Sequence, residues 1–317
     1  MDSFWNGKRV LVTGANGFLG SHLCFGLIKN GAKVCGIDKD AGERKAGGFK
    51  AVKCDIVDFK SVEKAFSLFK PDICLHVAAQ PIVGIANKSP LSTFKVNIEG
   101  TWNILEVAKN RILKALVVAS SEQVYGEHKK LPYEEDAALL ALRPYDASKS
   151  CTDILARAYA HTYGLNTAVT RCANIYGPGD FNFSRIIPDT MQSVIANKRP
   201  VIRSDGTPLR DYLYINDAVE AYLVLAKSLY LGKIKAGEAF NFGSGKPVSV
   251  LSLVKAILRI AKKPNLKPEI LGRNKFSGEI RKQYLSSLKA RKILGWKCQY
   301  SLEQGLKDSF EWYCKNL

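Results

Sequence analysis

A tyrosine and a lysine four residues apart, Tyr145 and Lys149 in RPYDASKS, are the residues whose types and spacing point most directly to chemistry. Positions i and i+4 of a helix share a face, so the Lys149 ammonium can sit beside the Tyr145 phenol and lower its pKa. A phenolate placed in this way is a base for taking the proton of an alcohol. A serine pair, Ser120 and Ser121, closes the apolar run ALVVASS upstream. The spacing Tyr-x-x-x-Lys means little alone and gains meaning only from the elements that hold it.

Those elements begin at TGANGFLG, where Gly14, Gly17 and Gly20 follow the strand-like RVLVT and open a helix-like run. Glycine at these places permits a tight turn and lets the backbone approach a pyrophosphate at the helix N-terminus. Asn16, Phe18 and Leu19 belong to the same turn and are expected beside the dinucleotide. Asp38 ends the next strand, where a carboxylate accepts both ribose hydroxyls of an adenosine and repels a 2′-phosphate, so NAD is expected over NADP. Lys39 and Arg44 follow closely and pull the other way. Asp55 and Ile56, ending KCDI, are placed to touch the adenine, and Ala78, Ala79 and Gln80 to line the middle of the coenzyme. With a nicotinamide within reach, Tyr145 and Lys149 become both cofactor contacts and the means of oxidising an alcohol.

The surrounding pattern supports that placement. RVLVTG, KVCGID, AVKCDI, ICLHVAA, ALVVASS and TAVTRCANI are strand-like, and most are continuously apolar, as parallel strands covered on both faces should be. Helix-period stretches lie between them: GFLGSHLCFGLIKN, SVEKAFSLF, LSTFKVNIEGTWNILEVAKN and SKSCTDILARAYAHTYG. The expected fold is α/β, a doubly wound parallel sheet of the Rossmann kind. Residues 1–175 form it, and 211–244 return to it. Residues 176–210 and 245–317 read as a smaller, partly C-terminal lobe.

Composition bounds the rest. The 317 residues, 46% hydrophobic and 24% charged, suffice for a full core, and no stretch approaches the ~20 apolar residues of a membrane span. The N-terminus runs into a strand without a signal-like apolar region, which points to the cytoplasm. Eight cysteines and four histidines are scattered without ligand spacing, so no metal is expected. The formal net charge of +18 is spread over lysine-rich helical patterns with no interleaved aromatics, which argues against nucleic acid. Part of that charge suits an anionic small molecule.

Taken together, TGxxGxxG, HVAAQ, SSEQVYG, YDASK, RCANIYGPG and LRDYLYINDAV resemble the extended short-chain dehydrogenase/reductases that act on nucleotide sugars. The likeness spans nearly the whole chain, to the tail KARKILGW and the helix after it. AAQPIV, NIYGPGDFNFSRIIPD and RPVIRSDG look most like the CDP-glucose 4,6-dehydratases. The resemblance implies that Tyr145 takes the sugar 4-hydroxyl proton as the C4 hydride passes to NAD. Ser121 bonds the same oxygen, and Lys149 holds the ribose. A dehydratase then eliminates water across C5 and C6 and returns the hydride to C6. That step needs an acid and a base, which the family keeps directly after the catalytic serine or threonine. Here those positions hold Glu122, suited to be the acid, and Gln123, whose amide is no base at neutral pH. Glu122 doing both jobs, a base from elsewhere, or a different 4-keto reaction such as epimerisation or reduction are the open alternatives. A non-catalytic NAD-binding protein of this fold is disfavoured by the intact Ser121, Tyr145 and Lys149.

The same resemblance implies that Asn174 and Arg210 bind the substrate diphosphate, with Arg281 in GEIRKQY a second cation, and that Arg185 and Ile187 line the nucleotide pocket. Arginine fits because its planar fork matches phosphate oxygens. The helical stretches near 91–109 and 147–163 are apolar on more than one face, which suits the homodimer interface that the resemblance implies and equally a helix buried against its own sheet.

Overall fold

In the computed structural model, which describes residues 3–40, 51–272 and 280–317, seven parallel strands form the main sheet. They are β1 (Arg9–Thr13), β2 (Lys33–Asp38), β3 (Val52–Lys53), β4 (Ile73–His76), β5 (Ala115–Ala119), β6 (Thr167–Cys172) and, after the short strands β7 to β10, β11 (Glu238–Phe242). The sheet order is β11-β6-β5-β4-β1-β2-β3. Every residue of β4, β5 and β6 is buried, which accounts for the apolar run of β5 and for the lack of polar alternation in the other two. This is the Rossmann arrangement, whose strand order reverses between β1 and β4 and leaves a crevice at their C-terminal ends.

Helices cover both faces. On one, α1 (Phe18–Lys29) and α8 (Ile215–Tyr230) bury Leu23, Leu27, Leu225 and Leu229 against β1, β4 and β5. On the other, α2 (Phe59–Phe69) contributes Val62 and Phe66, and α5 (Gly100–Lys109) contributes Ile104 and Leu105. The Asp58 side chain accepts the Lys60 amide and so caps α2, while Lys70 in the left-handed region ends it. The long helix α6 (Pro144–Tyr163), with proline in its first turn and Gly164 as its left-handed stop, carries Tyr145 and Lys149.

Two predicted elements divide. The pattern LSTFKVNIEGTWNILEVAKN suggests one helix, yet α3 (Val83–Lys88) and α4 (Pro90–Phe94) lead into a wide π turn over Lys95–Glu99 before α5. The cause is in part tertiary: the Asn97 carbonyl is bonded by the Thr101 hydroxyl at 2.6 Å and, from α6, by the Thr152 hydroxyl at 3.0 Å. TAVTRCANI breaks at Ala173, and β7 (Asn174–Tyr176) leaves the main sheet. It pairs in parallel with β10 (Tyr212–Tyr214), with Asn174 opposite Tyr212. That departure carries Asn174 next to the segment of Arg210 and Asp211.

The remaining elements form a second apolar cluster. Helices α7 (Ile186–Ile195), α9 (Val250–Ile260) and α11 (Leu302–Asn316) bury Ile187, Met191, Leu253, Ile257, Leu306 and Tyr313 together. Short strands frame it: β8 (Val201–Ile202) with β13 (Glu269–Ile270), and β9 (Leu209–Arg210) between β12 (Val248–Ser249) and β14 (Lys282–Gln283). Helix α10 (Leu288–Leu294) overlaps KARKILGW. No helix among the described residues is long and apolar enough to cross a membrane.

Candidate active site

A cleft opens over the β1/β4 crevice in two connected halves. The half around the glycine turn has a volume of about 890 Å³ and is lined by Gly14, Asn16, Gly17, Phe18, Leu19, Gly20, Asp38, Lys39, Asp55, Ile56, Ala78, Ala79, Gln80, Tyr145 and Lys149. These are the residues singled out in the sequence for the coenzyme; Arg44 lies outside the described residues. The turn is as tight as its glycines suggest. A Cβ on Gly20 would lie 2.1 Å from the Gly14 carbonyl oxygen, and one on Gly14, at φ 68°, would meet the Ala78 Cα at 2.8 Å. Asp38 Oδ2 accepts the Asn16 amide at 3.0 Å, tying the end of β2 to the turn. Asn16 Oδ1 is buried without a partner, as an atom awaiting a ligand donor would be. The Gln80 side chain is engaged with Ile82 and with Thr93 Oγ1 at 2.9 Å, so Gln80 also shapes the wall through α3 and α4.

The second half, about 540 Å³, lies towards the α7–α9 cluster and is lined among others by Ser121, Glu122, Gln123, Asn174, Arg185, Ile187 and Arg210. Pro81, Ser120, Tyr145, Cys172, Ile175 and Arg185 line both halves and form their seam. At this seam the Tyr145 hydroxyl is hydrogen-bonded to Ser121. The expected lowering of the phenol pKa by Lys149 is not what the geometry gives. Burial pushes Tyr145 up; the Arg185 charge and the Ser121 bond oppose this, and Asp146 and Glu122 add to it. The Lys149 ammonium instead donates to the Ala119 carbonyl at 2.9 Å, and burial brings Lys149 down to about 8. An i, i+4 spacing sets the shared face but not the direction of a four-carbon side chain, and an unsatisfied strand-end carbonyl has claimed this one.

Beyond the seam stands Glu122, 1% exposed. Its Oε1 accepts from the Asn174 side-chain amide, and its Oε2 has no partner. Burial first, then the nearby Asp211 carboxylate, raise Glu122 well above the ordinary carboxylate range against the pull of Arg210, favouring its neutral form. Asn174 also donates to the Asp211 carbonyl at 3.2 Å. The Asp211 carboxylate is held by the Ser244 amide and hydroxyl and the Gly245 amide. Gln123 is fixed differently. Arg143 donates to its Oε1 at 2.9 Å and to Asp146 at 2.7 Å, so the Gln123 amide is an anchored polar group rather than a proton carrier.

Of the arginines, Arg185 and Arg210 line the cleft, and Arg281 does not. Its side chain is exposed, and its carbonyl accepts the Leu209 amide at 2.8 Å, a bond of the β9/β14 ladder. Arg281 precedes β14, whose register sets Gln283 rather than Arg281 beside Arg210. Sequence reading missed Arg203, which lines the same half, and Asp180, whose Oδ2 lies 3.1 Å from Arg185 Nη1. Both stand inside segments quoted above, RPVIRSDG and NIYGPGDFNFSRIIPD, and arginine in the first was the available signal.

A buried polar chain sets the seam from below. Thr13 Oγ1 accepts the Val77 and Ala78 amides at 3.1 and 3.0 Å, so its proton goes to His76 Nδ1 at 2.8 Å. His76 Nε2 then donates to Thr101 Oγ1 at 3.0 Å, consistent with the neutral ring that burial favours by pulling its pKa to about 3. Asn97 continues the chain. Its side chain accepts the Gln80 amide at 2.7 Å and donates to Ser148 Oγ at 2.9 Å, and Ser148 donates to the Tyr145 carbonyl at 2.7 Å. The glycine-turn wall and the Tyr145 helix are thereby fixed to one another. Among the described residues no cluster of histidine, cysteine, aspartate and glutamate is arranged to hold a metal.

Comparison with known proteins places this geometry. The model of the NAD dependent epimerase/dehydratase family matches residues 10–243. The CDP-glucose 4,6-dehydratase of Salmonella typhimurium is 33% identical over 261 residues, covering 76% of this chain and 72% of that protein. Among solved structures, the UDP-glucose 4-epimerase of Thermotoga maritima with UDP-glucose superposes with a TM-score of 0.90 at 31% identity, covering 97% of this chain and 99% of the other. The dTDP-glucose 4,6-dehydratase of Bacillus anthracis in complex with NAD gives 0.85 at 26% identity, covering 98% and 97%.

Proposed function

This chain belongs to the NAD dependent epimerase/dehydratase family, and from that premise we propose that it is an NAD-dependent nucleotide-sugar 4,6-dehydratase in which Glu122 serves as both acid and base of the elimination. The observation that carries this reading is the Glu122 carboxyl: buried, favoured in its neutral form, one oxygen held by Asn174 and the other unpartnered, in the same half of the cleft as Tyr145. An interconversion confined to C4 needs no such group.

The Gly14–Gly20 turn, Asp38, Asp55 and the wall at Ala78–Gln80 would hold NAD, which supplies a hydride acceptor for C4 and later a donor to C6. The closeness of the turn, which excludes even a Cβ, and the orphaned Asn16 Oδ1 support that fit. Tyr145 takes the proton of the sugar 4-hydroxyl while Ser121 bonds the same oxygen. The 4-ketone acidifies C5. Glu122 Oε2 gives its proton to the departing 6-hydroxyl, and Oε1 takes the C5 proton. The C5–H and C6–O bonds break, a C5=C6 double bond forms and water leaves with the carboxyl neutral again; as the hydride reaches C6 the same carboxyl returns its proton to C5, and release of the proton held by Tyr145 with reprotonation of Glu122 resets the site. Asn174, by fixing Oε1, keeps the two oxygens in these roles, and Arg210 with Arg203 meets the diphosphate. In this reading residues 1–175 and 211–244 carry the cofactor, and 176–210 and 245–317 the nucleotide sugar. Leu91, Trp102 and Ile154, exposed on α4, α5 and α6, support a homodimer.

The test is to incubate the protein with NAD and CDP-, dTDP-, GDP- and UDP-hexoses and follow product mass. Loss of one water from one of them is expected, and Glu122→Gln should stop at a 4-keto sugar that still carries its 6-hydroxyl. Product of unchanged mass but inverted C4 would refute dehydration. It would favour the second reading, a 4-epimerase or 4-ketoreductase, whose supporting observation is the Gln123 amide locked by Arg143 at the place of the usual base.

A further inference from the structure

We propose that Gln283, from β14 of the lobe, is a positioning residue for Glu122: it pins the main chain of that residue while Asn174 pins its carboxyl, and a single strand pairing sets both holds. The Gln283 side chain is 1% exposed, and its Nε2 donates to the Glu122 carbonyl at 3.2 Å across 161 positions of sequence. Asn174 Nδ2 donates to Glu122 Oε1 and also to the Asp211 carbonyl at 3.2 Å. The two anchors stand side by side, because Gln283 lies opposite Arg210 in the parallel β9/β14 pair and Asp211 follows Arg210 directly.

That pairing is secured on both sides. The Leu209 amide donates to the Arg281 carbonyl at 2.8 Å; beyond β14 the Tyr133 amide bonds the Tyr284 carbonyl at 3.0 Å, and the Ser286 amide bonds the Tyr133 carbonyl at 2.8 Å. The Asp211 carboxylate is tied to the Ser244 and Gly245 amides at 3.1 and 3.0 Å. Glu122 itself starts a single 3-10 turn, Glu122–Tyr125. So short a turn has few and poorly aligned internal bonds to orient it, and a hold on its first carbonyl fixes where the Glu122 side chain sets out. Arg210, which lines the cleft, occupies the ladder position opposite Gln283, so the cation that meets a diphosphate and the group that holds Glu122 share one strand pair. Placing Glu122 is thus a task of the lobe, although the residue itself follows a strand of the main sheet.

This inference rests on Glu122 being the acid and base of the proposed function, and its test keeps the two apart. Gln283→Met removes the donor at nearly constant length and volume, and Gln283→Leu is read beside it as a second packing of the same gap. In single turnovers with the hexose that the parent dehydrates, C4 oxidation is followed by the absorbance of the reduced coenzyme and water loss by product mass. Water loss is expected to slow about tenfold in both variants, because a reacting group displaced by a fraction of an ångström loses its alignment, while C4 oxidation and KM stay close to those of the parent. Gln283→His, whose Nε2–H has a similar reach, should recover most of the loss. Water loss at the parent rate, or equal losses in both steps, overturns the proposal. A reading without sugar stands beside it: the infrared bands of the Glu122 carboxyl, isolated by subtracting the spectrum of Glu122→Gln, should shift or broaden in Gln283→Met and return towards the parent in Gln283→His. Unchanged bands overturn the proposal as well. Altered bands in a protein that dehydrates none of the hexoses would sink the dehydratase reading alone.

Discussion

Replacing Glu122 by glutamine tests the carboxyl at the centre of the site through stability alone. In the unfolded chain a glutamate gives up its proton near 4.5, whereas the folded protein keeps the Glu122 proton to higher pH. Between those two values the native state binds one more proton than the unfolded state, so stability falls as pH rises, by about 1.4 kcal/mol per pH unit. Below the lower value both states are protonated, and above the upper value both are ionised, so the slope vanishes at either end. Glutamine keeps an acceptor at Oε1 for the Asn174 amide and a donor where the neutral acid has its proton, and it does not titrate. At the acid end the variant should match the parent. As pH rises its Tm should pull ahead by about 2 °C per unit, given an unfolding entropy of ~2 cal/mol/K per residue. The Asp211 carboxyl, itself raised mainly by burial, is present in both proteins and largely cancels in the difference. Thermal unfolding followed by circular dichroism between about pH 4 and 8 supplies the measurement. A Tm difference that stays constant across that range would mean an ordinary carboxylate at Glu122 and would remove the basis for its role as an acid.

Gly20→Ala should weaken NAD binding at least tenfold, read by calorimetric titration. The new Cβ would lie 2.1 Å from the Gly14 carbonyl oxygen and 3.0 Å from the Ala15 Cα, backbone atoms with no flexible side chain to yield; unaltered affinity would contradict the tight turn. Asp153→Asn removes the charge that meets Arg171 bidentately at 2.8 and 3.0 Å, both side chains being essentially inaccessible. Leaving that guanidinium uncompensated should cost about 3–5 kcal/mol, or roughly 5–8 °C in Tm, and a drop below about 2 °C would show that the Tyr125 hydroxyl and Glu135 carbonyl, which Arg171 also bonds, satisfy it alone.

What was legible in the sequence follows from what a local pattern can encode. Gly14, Gly17 and Gly20 declare a turn that only glycine permits, and Asp38, Asp55 and Ala78 follow because strand ends of a parallel sheet converge on one edge. Apolar stretches give β4 and β5, since burial on both faces leaves no room for alternation, and the β-branched residues of TAVT give β6. The direction of the Lys149 side chain was not legible, because it depends on the Ala119 carbonyl thirty positions away in sequence. Nor was the pairing of β9 with β14, a ladder between segments about seventy residues apart that sets Gln283 rather than Arg281 beside Arg210. The π turn at Asn97 and the Arg171–Asp153 pair are likewise products of tertiary partners, and each residue taken alone reads as an ordinary member of a helix or strand.

The seam described above has a thermodynamic consequence. Because Pro81, Ser120, Tyr145, Cys172, Ile175 and Arg185 belong to both halves of the cleft, an occupant of either half becomes part of the surroundings of the other. Whatever factor an occupied glycine-turn half lends to affinity on the lobe side must be returned in full in the opposite direction, since linkage between two binding equilibria is reciprocal. A nucleotide sugar that binds more firmly in the presence of NAD therefore slows the loss of NAD or speeds its capture, and retention of the coenzyme becomes a property of the pair of ligands rather than of the glycine turn alone.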